Sequence, residues 1–169
     1  MKTSTSSFVR DWVPVLAWML VIFTASTDLG SAAHSARLLI PFLHWINPQI
    51  SPAGIELAQF IARKAAHVTE YAVLAMLLLR ALHSESRARF ARQALIVFAV
   101  AAIYAATDEF HQSFNPSRTA SPKDVMIDCC GALLGLAAYR LLTLREASPD
   151  AAPVGARPLQ RTARRVASR

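Results

Sequence analysis

Charge is scarce in this chain. Asp, Glu, Lys and Arg make up 17% of its 169 residues and hydrophobic residues 54%, where soluble domains carry about a quarter charged. That balance points toward a bilayer rather than toward a water-facing surface. Cysteine is almost absent: Cys129 and Cys130 are neighbours inside an apolar run. Adjacent cysteines rarely bridge each other and no C-x-x-C spacing exists, so neither a disulfide framework nor a zinc ribbon is supported. Glycine-rich phosphate loops, internal repeats, H-E-x-x-H and a serine in a G-x-S-x-G context are missing too. Zincin and serine-hydrolase chemistry therefore have no sequence support, and no metal and no cofactor are expected.

The excess charge is basic, with a formal net of +7, but its position matters more than its size. Between Ala147 and Arg169 five arginines face one aspartate, so +4 of the total sits in a Pro/Ala/Arg-rich tail. Such a segment lacks the apolar periodicity to pack and reads as a disordered basic extension. The expected division is a membrane domain over 1–146 and a cytoplasmic tail over 147–169. Little basic excess remains in the domain, and nucleic acid is not an expected partner.

Four apolar runs stand out, at Trp12–Thr27, Tyr71–Leu79, Gln93–Thr107 and Cys129–Tyr139. Each is shorter than the roughly 20 residues that cross a hydrocarbon core. Each becomes long enough once flanking polar residues are admitted, with Arg80, Arg140 and Arg145 reaching toward headgroups. The expected fold is all-α: an integral membrane bundle of four transmembrane helices near 10–27, 60–82, 90–110 and 122–145. Between the first two, "LLIPFLHWI" is too short to cross and carries a proline, which suits an interfacial helix or a re-entrant loop. A basic start followed by a short apolar core and "SAA" at Ser31–Ala33 also fits a cleavable signal peptide.

Orientation follows from the basic residues. With the N-terminus inside, the inner side holds thirteen of the eighteen, the short loop "HSESRARFAR" contributing several; Arg37, Arg63, Lys64, Arg118 and Lys123 fall outside. The positive-inside rule then puts both termini in the cytoplasm and "DEFHQSFNPSRTASPKD" on the extracytoplasmic side.

Polar residues on three helices reach the same outer level. Ser51-Pro52 and Ser121-Pro122 read as helix starts, an N-cap serine before a first-turn proline. Asp124, three residues after Ser121, has the spacing of a capping box, whereas Asp128 lies about 6 Å deeper with no capping role. On the second span Lys64, His67 and Tyr71 share a stripe, with Glu70 beside them. On the third, Asp108, His111 and Gln112 share a face, with Glu109 on its flank. Ionisable groups in a membrane are costly unless paired or wet. Two readings stay open: a structural network in which Lys64, Arg118 and Lys123 neutralise Glu70, Asp108 and Asp128, or an outward-facing polar pocket.

"RKAAHVTEYAVLAMLL" from Arg63 and "DEFHQSFNPSRTASPKDVMIDCCGALLG" from Asp108 together resemble the two signature blocks of the VanZ-like family. The first resemblance falls on Arg63, Lys64, His67, Tyr71 and Leu74. The second falls on Asp108, Glu109, Gln112, Phe114, Pro116, Arg118, Asp124, Gly131 and Gly135, and Ser26 fits the family's serine after the first span. Two positions depart from the pattern: Ser117 stands where glycine is frequent, and Asp128 where asparagine is common. The resemblance implies a cell-envelope role and a place in the bacterial inner membrane, the family being named for teicoplanin resistance.

The expected function is binding of, or action on, an anionic lipid-linked or cell-wall group, with a bearing on glycopeptide susceptibility. The bilayer and a lipid-linked cell-wall precursor or anionic headgroup are the expected partners. Glu109, Asp108 and His67 are the candidate proton-exchanging residues. Lys64, Tyr71, Gln112, Arg118, Asp124 and Asp128 are the candidate binding residues, Asp124 ranking second because capping also explains it. The alternative is a non-catalytic lipid-binding or structural protein. A pathway through the membrane is excluded by apolar inner halves such as "VLAMLLL".

Overall fold

In the computed structural model every regular element is a helix, and no strand occurs among the residues described, 5–27, 32–82, 87–114 and 120–146. The helices are α1 (Thr5–Ala25), α2 (Ala32–Ile46), α3 (Pro52–Leu82), α4 (Arg87–Gln112) and α5 (Pro122–Glu146). The basic tail from 147 onward lies outside the described residues.

Helix starts obey the local rules. Ser51 Oγ accepts the Gly54 N–H at 3.2 Å, and Ser121 Oγ accepts the Lys123 N–H at 3.2 Å. Each serine thus satisfies a backbone donor that the first turn leaves over. α3 consequently begins at Pro52, where Ser51-Pro52 marks a helix start, some two turns before the span expected near 60. Glu56 and Gln59 interrupt the apolar run there without interrupting the helix. The segment expected to be interfacial or re-entrant is a 15-residue helix, α2, which continues through Pro41. At 1.5 Å per residue it is about 22 Å long, too short to cross. An Asx turn at Asn47, whose Oδ1 accepts the Gln49 N–H at 3.1 Å, connects it to α3.

α1, α3, α4 and α5 each contain a stretch long and apolar enough to span a membrane. Their packing settles which way each faces. The inside of the bundle takes Val15 and Ile22 from α1 and Tyr71, Leu74, Leu78 and Leu79 from α3. α4 adds Val97, Ala101 and Ala105, and α5 adds Ala132 and Leu136. These positions repeat at helical spacing, the pattern of one inward stripe per helix. The outside is just as apolar: Leu16, Leu20, Leu95, Ile103, Leu133, Leu134 and Leu141 are all exposed. Meanwhile Ser26, His67, Asp108, Glu109, Gln112, Asp124 and Asp128 are buried. Apolar outside with polar residues inside is the arrangement a lipid solvent demands and water does not.

Cross-helix contacts give the directions. Tyr104 donates to the Met19 carbonyl at 2.7 Å and Gln112 lies 3.5 Å from Ser26, so α1 and α4 run parallel. Lys64 meets Asp124 and His67 meets Asp128, so α3 and α5 run parallel to each other. Ser121 meets Glu109 while Arg140 lies over the Phe90 ring, so α4 and α5 are antiparallel. The ends of α1 and α4 and the start of α5 therefore lie together. They meet α3 at residues 64–71, near the middle of its length.

α5 packs chiefly on α3, and glycine makes that approach close. A Cβ at Gly131 would fall 2.9 Å from the Val68 Cα, and one at Gly135 would fall 2.8 Å from the Ala72 Cα. Backbones that near leave no room for a side chain. The G-x-x-x-G spacing is thus a helix contact, and it is what brings Asp128 against His67.

Candidate functional site

Four helices deliver a buried polar cluster to the end where α1 and α4 finish and α5 starts. From α3 come Lys64, His67 and Tyr71; from α4, Asp108, Glu109 and Gln112; from α5, Asp124 and Asp128; from α1, Ser26. His67, Asp108, Glu109, Gln112, Asp124 and Asp128 are all under a tenth exposed, Asp128 completely buried.

Two contacts cross between α3 and α5. Lys64 Nζ pairs with Asp124 Oδ1, and His67 Nδ1 lies 2.9 Å from Asp128 Oδ1. These contacts lie one helical turn apart on both helices, as i, i+3 and i, i+4 spacing allows. Two further contacts fix α4. Gln112 Nε2 donates to Asp108 Oδ2 at 3.0 Å on its own helix, and the Ser121 backbone N–H donates to Glu109 Oε2 at 2.8 Å across to α5.

The cluster is only partly satisfied from within. Tyr71 Oη, Asp108 Oδ1, Glu109 Oε1 and Asp128 Oδ2 are buried and have no hydrogen-bond partner among the described residues. Buried polar atoms are nearly always paired, so four unpaired oxygens in one cluster mark a place built to meet something else. The charge balance agrees. Asp108, Glu109, Asp124 and Asp128 bring four carboxylates against one lysine and one histidine. The flanking Arg63 and Lys123 are exposed, each next in sequence to a member of the Lys64–Asp124 pair. The described site is acidic inside with a basic rim.

The expected residues largely meet, with differences of rank. Asp124 has the capping-box spacing, but the Ser121 N–H that a capping box would use goes to Glu109, and the Asp124 carboxylate turns to Lys64. Glu109, expected on a flank, is buried in the cluster. His111, expected on the Asp108 face, stacks instead on Phe23 with ring centroids 4.4 Å apart. Lys123, a proposed counter-charge, is exposed, and Asp128 has His67 as its partner. Arg118 lies outside the described residues. The Ser121 N–H escaped sequence reading because a backbone donor leaves no mark in composition. Ser26 was visible only through the resemblance.

Fold and site together define an α-helical membrane protein whose four spans enclose a titratable cluster at one end. The chain belongs to the VanZ/LLP1 family, whose pattern matches residues 11–143 and so includes every residue of the cluster. No curated protein and no solved structure matches it.

Proposed function

We propose that this protein binds the anionic headgroup of a lipid-linked or cell-wall compound at the extracytoplasmic face of the inner membrane and exchanges protons with it through Glu109. The observation that carries this reading is the state of Glu109. One carboxylate oxygen is held by the Ser121 N–H and the other is buried without a partner among the described residues, although the residue is only 6% exposed. A carboxylate fixed on one side and open on the other is oriented to take up or release a proton.

Lys64, with Arg63 and Lys123 on the rim and Arg118, which lies between α4 and α5 in sequence, supplies the positive charge that phosphate or carboxylate groups need. The start of α5 adds the favourable end of a helix dipole. In a hydrolytic step water attacks the phosphorus or carbonyl carbon, Glu109 takes the water proton, and the proton returns to the leaving oxygen as its bond breaks. The basic residues of the inner loop and tail support the orientation. An effect on teicoplanin susceptibility follows on this reading from altered headgroups at the outer surface.

Purified protein assayed with labelled lipid-linked cell-wall intermediates tests the proposal. Turnover that disappears in Glu109→Gln while lipid binding persists supports it, and turnover unchanged in that variant rejects the proton-exchange role. A second reading rests on the Lys64–Asp124 and His67–Asp128 pairs, which also fasten α3 to α5. On that view the protein binds headgroups without reaction, and Glu109→Gln has no effect while Arg118→Ala releases lipid co-purified with the protein, as read by mass spectrometry.

A further inference from the structure

We infer that His67, Glu109 and Asp124 form a site for a divalent transition-metal ion of the Zn²⁺ or Mn²⁺ class, with Asp128 positioning His67. Three different helices contribute one donor each, and the donor atoms all lie within 4.8 Å of one another, with all three residues buried. Sequence spacing gave no hint of this, because metal motifs are recognised when two ligands share a helix and here no two do.

Clustered carboxylates alone do not make a metal site; two separate observations do. The first is Glu109, whose Oε1 is buried without a partner among the described residues while Oε2 holds the Ser121 N–H. The carboxylate is anchored by one oxygen and presents the other. The second is the histidine. Its Nδ1 faces Asp128 Oδ1 at 2.9 Å, so the opposite ring nitrogen, Nε2, is the one left to bind. Metal-ligating histidines nearly always direct their other nitrogen at a carboxylate or carbonyl, which fixes the ring and strengthens it as a ligand.

Asp124 pairs Oδ1 with Lys64, and one of its carboxylate oxygens lies within 4.8 Å of the other two donors. Charge favours occupation: four carboxylates converge on one lysine and one histidine in a membrane interior, and a divalent ion offsets much of that repulsion. One imidazole with two carboxylates is a mixed donor set. It suits Zn²⁺ or Mn²⁺ better than the all-oxygen shells of Ca²⁺ or Mg²⁺. Tetrahedral ligands at zinc distances stand about 3.4 Å apart, so side-chain rotations of about an ångström complete the shell.

Three protein ligands leave a coordination position open, as catalytic zinc sites do. An ion held there attracts a phosphate or carboxylate oxygen into an otherwise acidic cluster. That use of the ion rests on the function proposed above; its binding does not.

The test is metal binding by the intact protein in detergent, stripped with chelator and titrated with Zn²⁺ by calorimetry, with Mn²⁺ followed by electron paramagnetic resonance. One ion per chain is expected. His67→Ala and Glu109→Gln should each weaken binding by at least about 100-fold, and Asp128→Asn by about 10- to 100-fold. His44→Ala, on the exposed face of α2, should leave it unchanged. Folding of each variant is checked by circular dichroism and gel filtration. If His67→Ala does not fold, Glu109→Gln and Asp128→Asn decide the matter. Wild-type protein that binds no ion, or affinity that survives in folded Glu109→Gln and Asp128→Asn, overturns the inference. Metal binding without co-purified anionic lipid supports the site and counts against the proposed function; lipid binding without metal does the reverse.

Discussion

Asp128 Oδ1 lies 2.9 Å from His67 Nδ1, and both residues are buried, joining α5 to α3 one turn beyond the Lys64–Asp124 pair. A carboxylate in this position holds the imidazole. Replacing it with asparagine preserves an acceptor oxygen at the same place, whereas alanine leaves the histidine nitrogen without a partner. Removing one member of a buried pair costs about 3–5 kcal/mol. Thermal unfolding in detergent should therefore show Asp128→Ala well below wild type and Asp128→Asn close to it. Equal losses in the two variants would show that the carboxylate's charge, which asparagine lacks, is what this position requires.

The approach of α5 to α3 depends on Gly131 and Gly135. A methyl group at Gly135 meets the Ala72 backbone, and one at Gly131 meets the Val68 backbone; neither partner can swing aside. Alanine at either position should lower stability by about 1–3 kcal/mol, the range for overpacking. Gly54 gives the contrast, since the nearest atoms there belong to the Ile50 and Ser51 side chains. Gly54→Ala should be tolerated, because side chains can rotate and alanine favours the helix. Melting temperatures of the three variants in one detergent decide the ranking. A Gly135→Ala protein as stable as wild type would mean the helices are further apart than described.

Much of the architecture was legible because lipid and water impose opposite patterns. Four apolar runs marked the four spans, and Ser51-Pro52 and Ser121-Pro122 marked two helix starts that the backbone bonds bear out. The membrane span in α3 was placed from near 60, short of the helix start at Pro52, because Glu56 and Gln59 break the apolar run while leaving helical geometry intact. The site was legible as a set of residues and illegible as an arrangement. Periodicity says which residues share a face of one helix; it cannot say which neighbouring backbone is near enough to take a bond. Glu109 turns inward because the Ser121 N–H awaits it across the loop. Asp124 turns to Lys64 because the close packing of Gly131 and Gly135 sets the register of α5 on α3.

The apolar exterior makes a prediction that separates a bilayer from water. Ile103 and Leu134 are 66% and 59% exposed, near the middles of α4 and α5. In a soluble bundle, exposed leucine or isoleucine replaced by aspartate changes stability by no more than about 0.5 kcal/mol. In a membrane span the same change at the helix centre costs about 2.5–3.5 kcal/mol on insertion scales. Ile103→Asp and Leu134→Asp should reduce the membrane-integrated fraction, measured by carbonate extraction of expressing cells. Full integration of both variants would argue that these faces meet protein rather than lipid.

Orientation can be read chemically, because the site end carries residues that tolerate a thiol. Lys123 is exposed in the first turn of α5, and its side chain makes no part of the buried cluster. With Cys129 and Cys130 replaced by alanine, Lys123→Cys should react with a membrane-impermeant maleimide added to spheroplasts. Ser168→Cys, in the basic tail, should react only after the membrane is permeabilised. The expectation rests on the distribution of basic residues, thirteen of eighteen falling on the side of the tail and of the α3–α4 loop, and on the rule that such residues stay in the cytoplasm. Labelling of Ser168→Cys in intact spheroplasts, with Lys123→Cys protected, would reverse the topology. The acidic cluster would then face the cytoplasm, and its anionic ligand would have to be sought among compounds on that side.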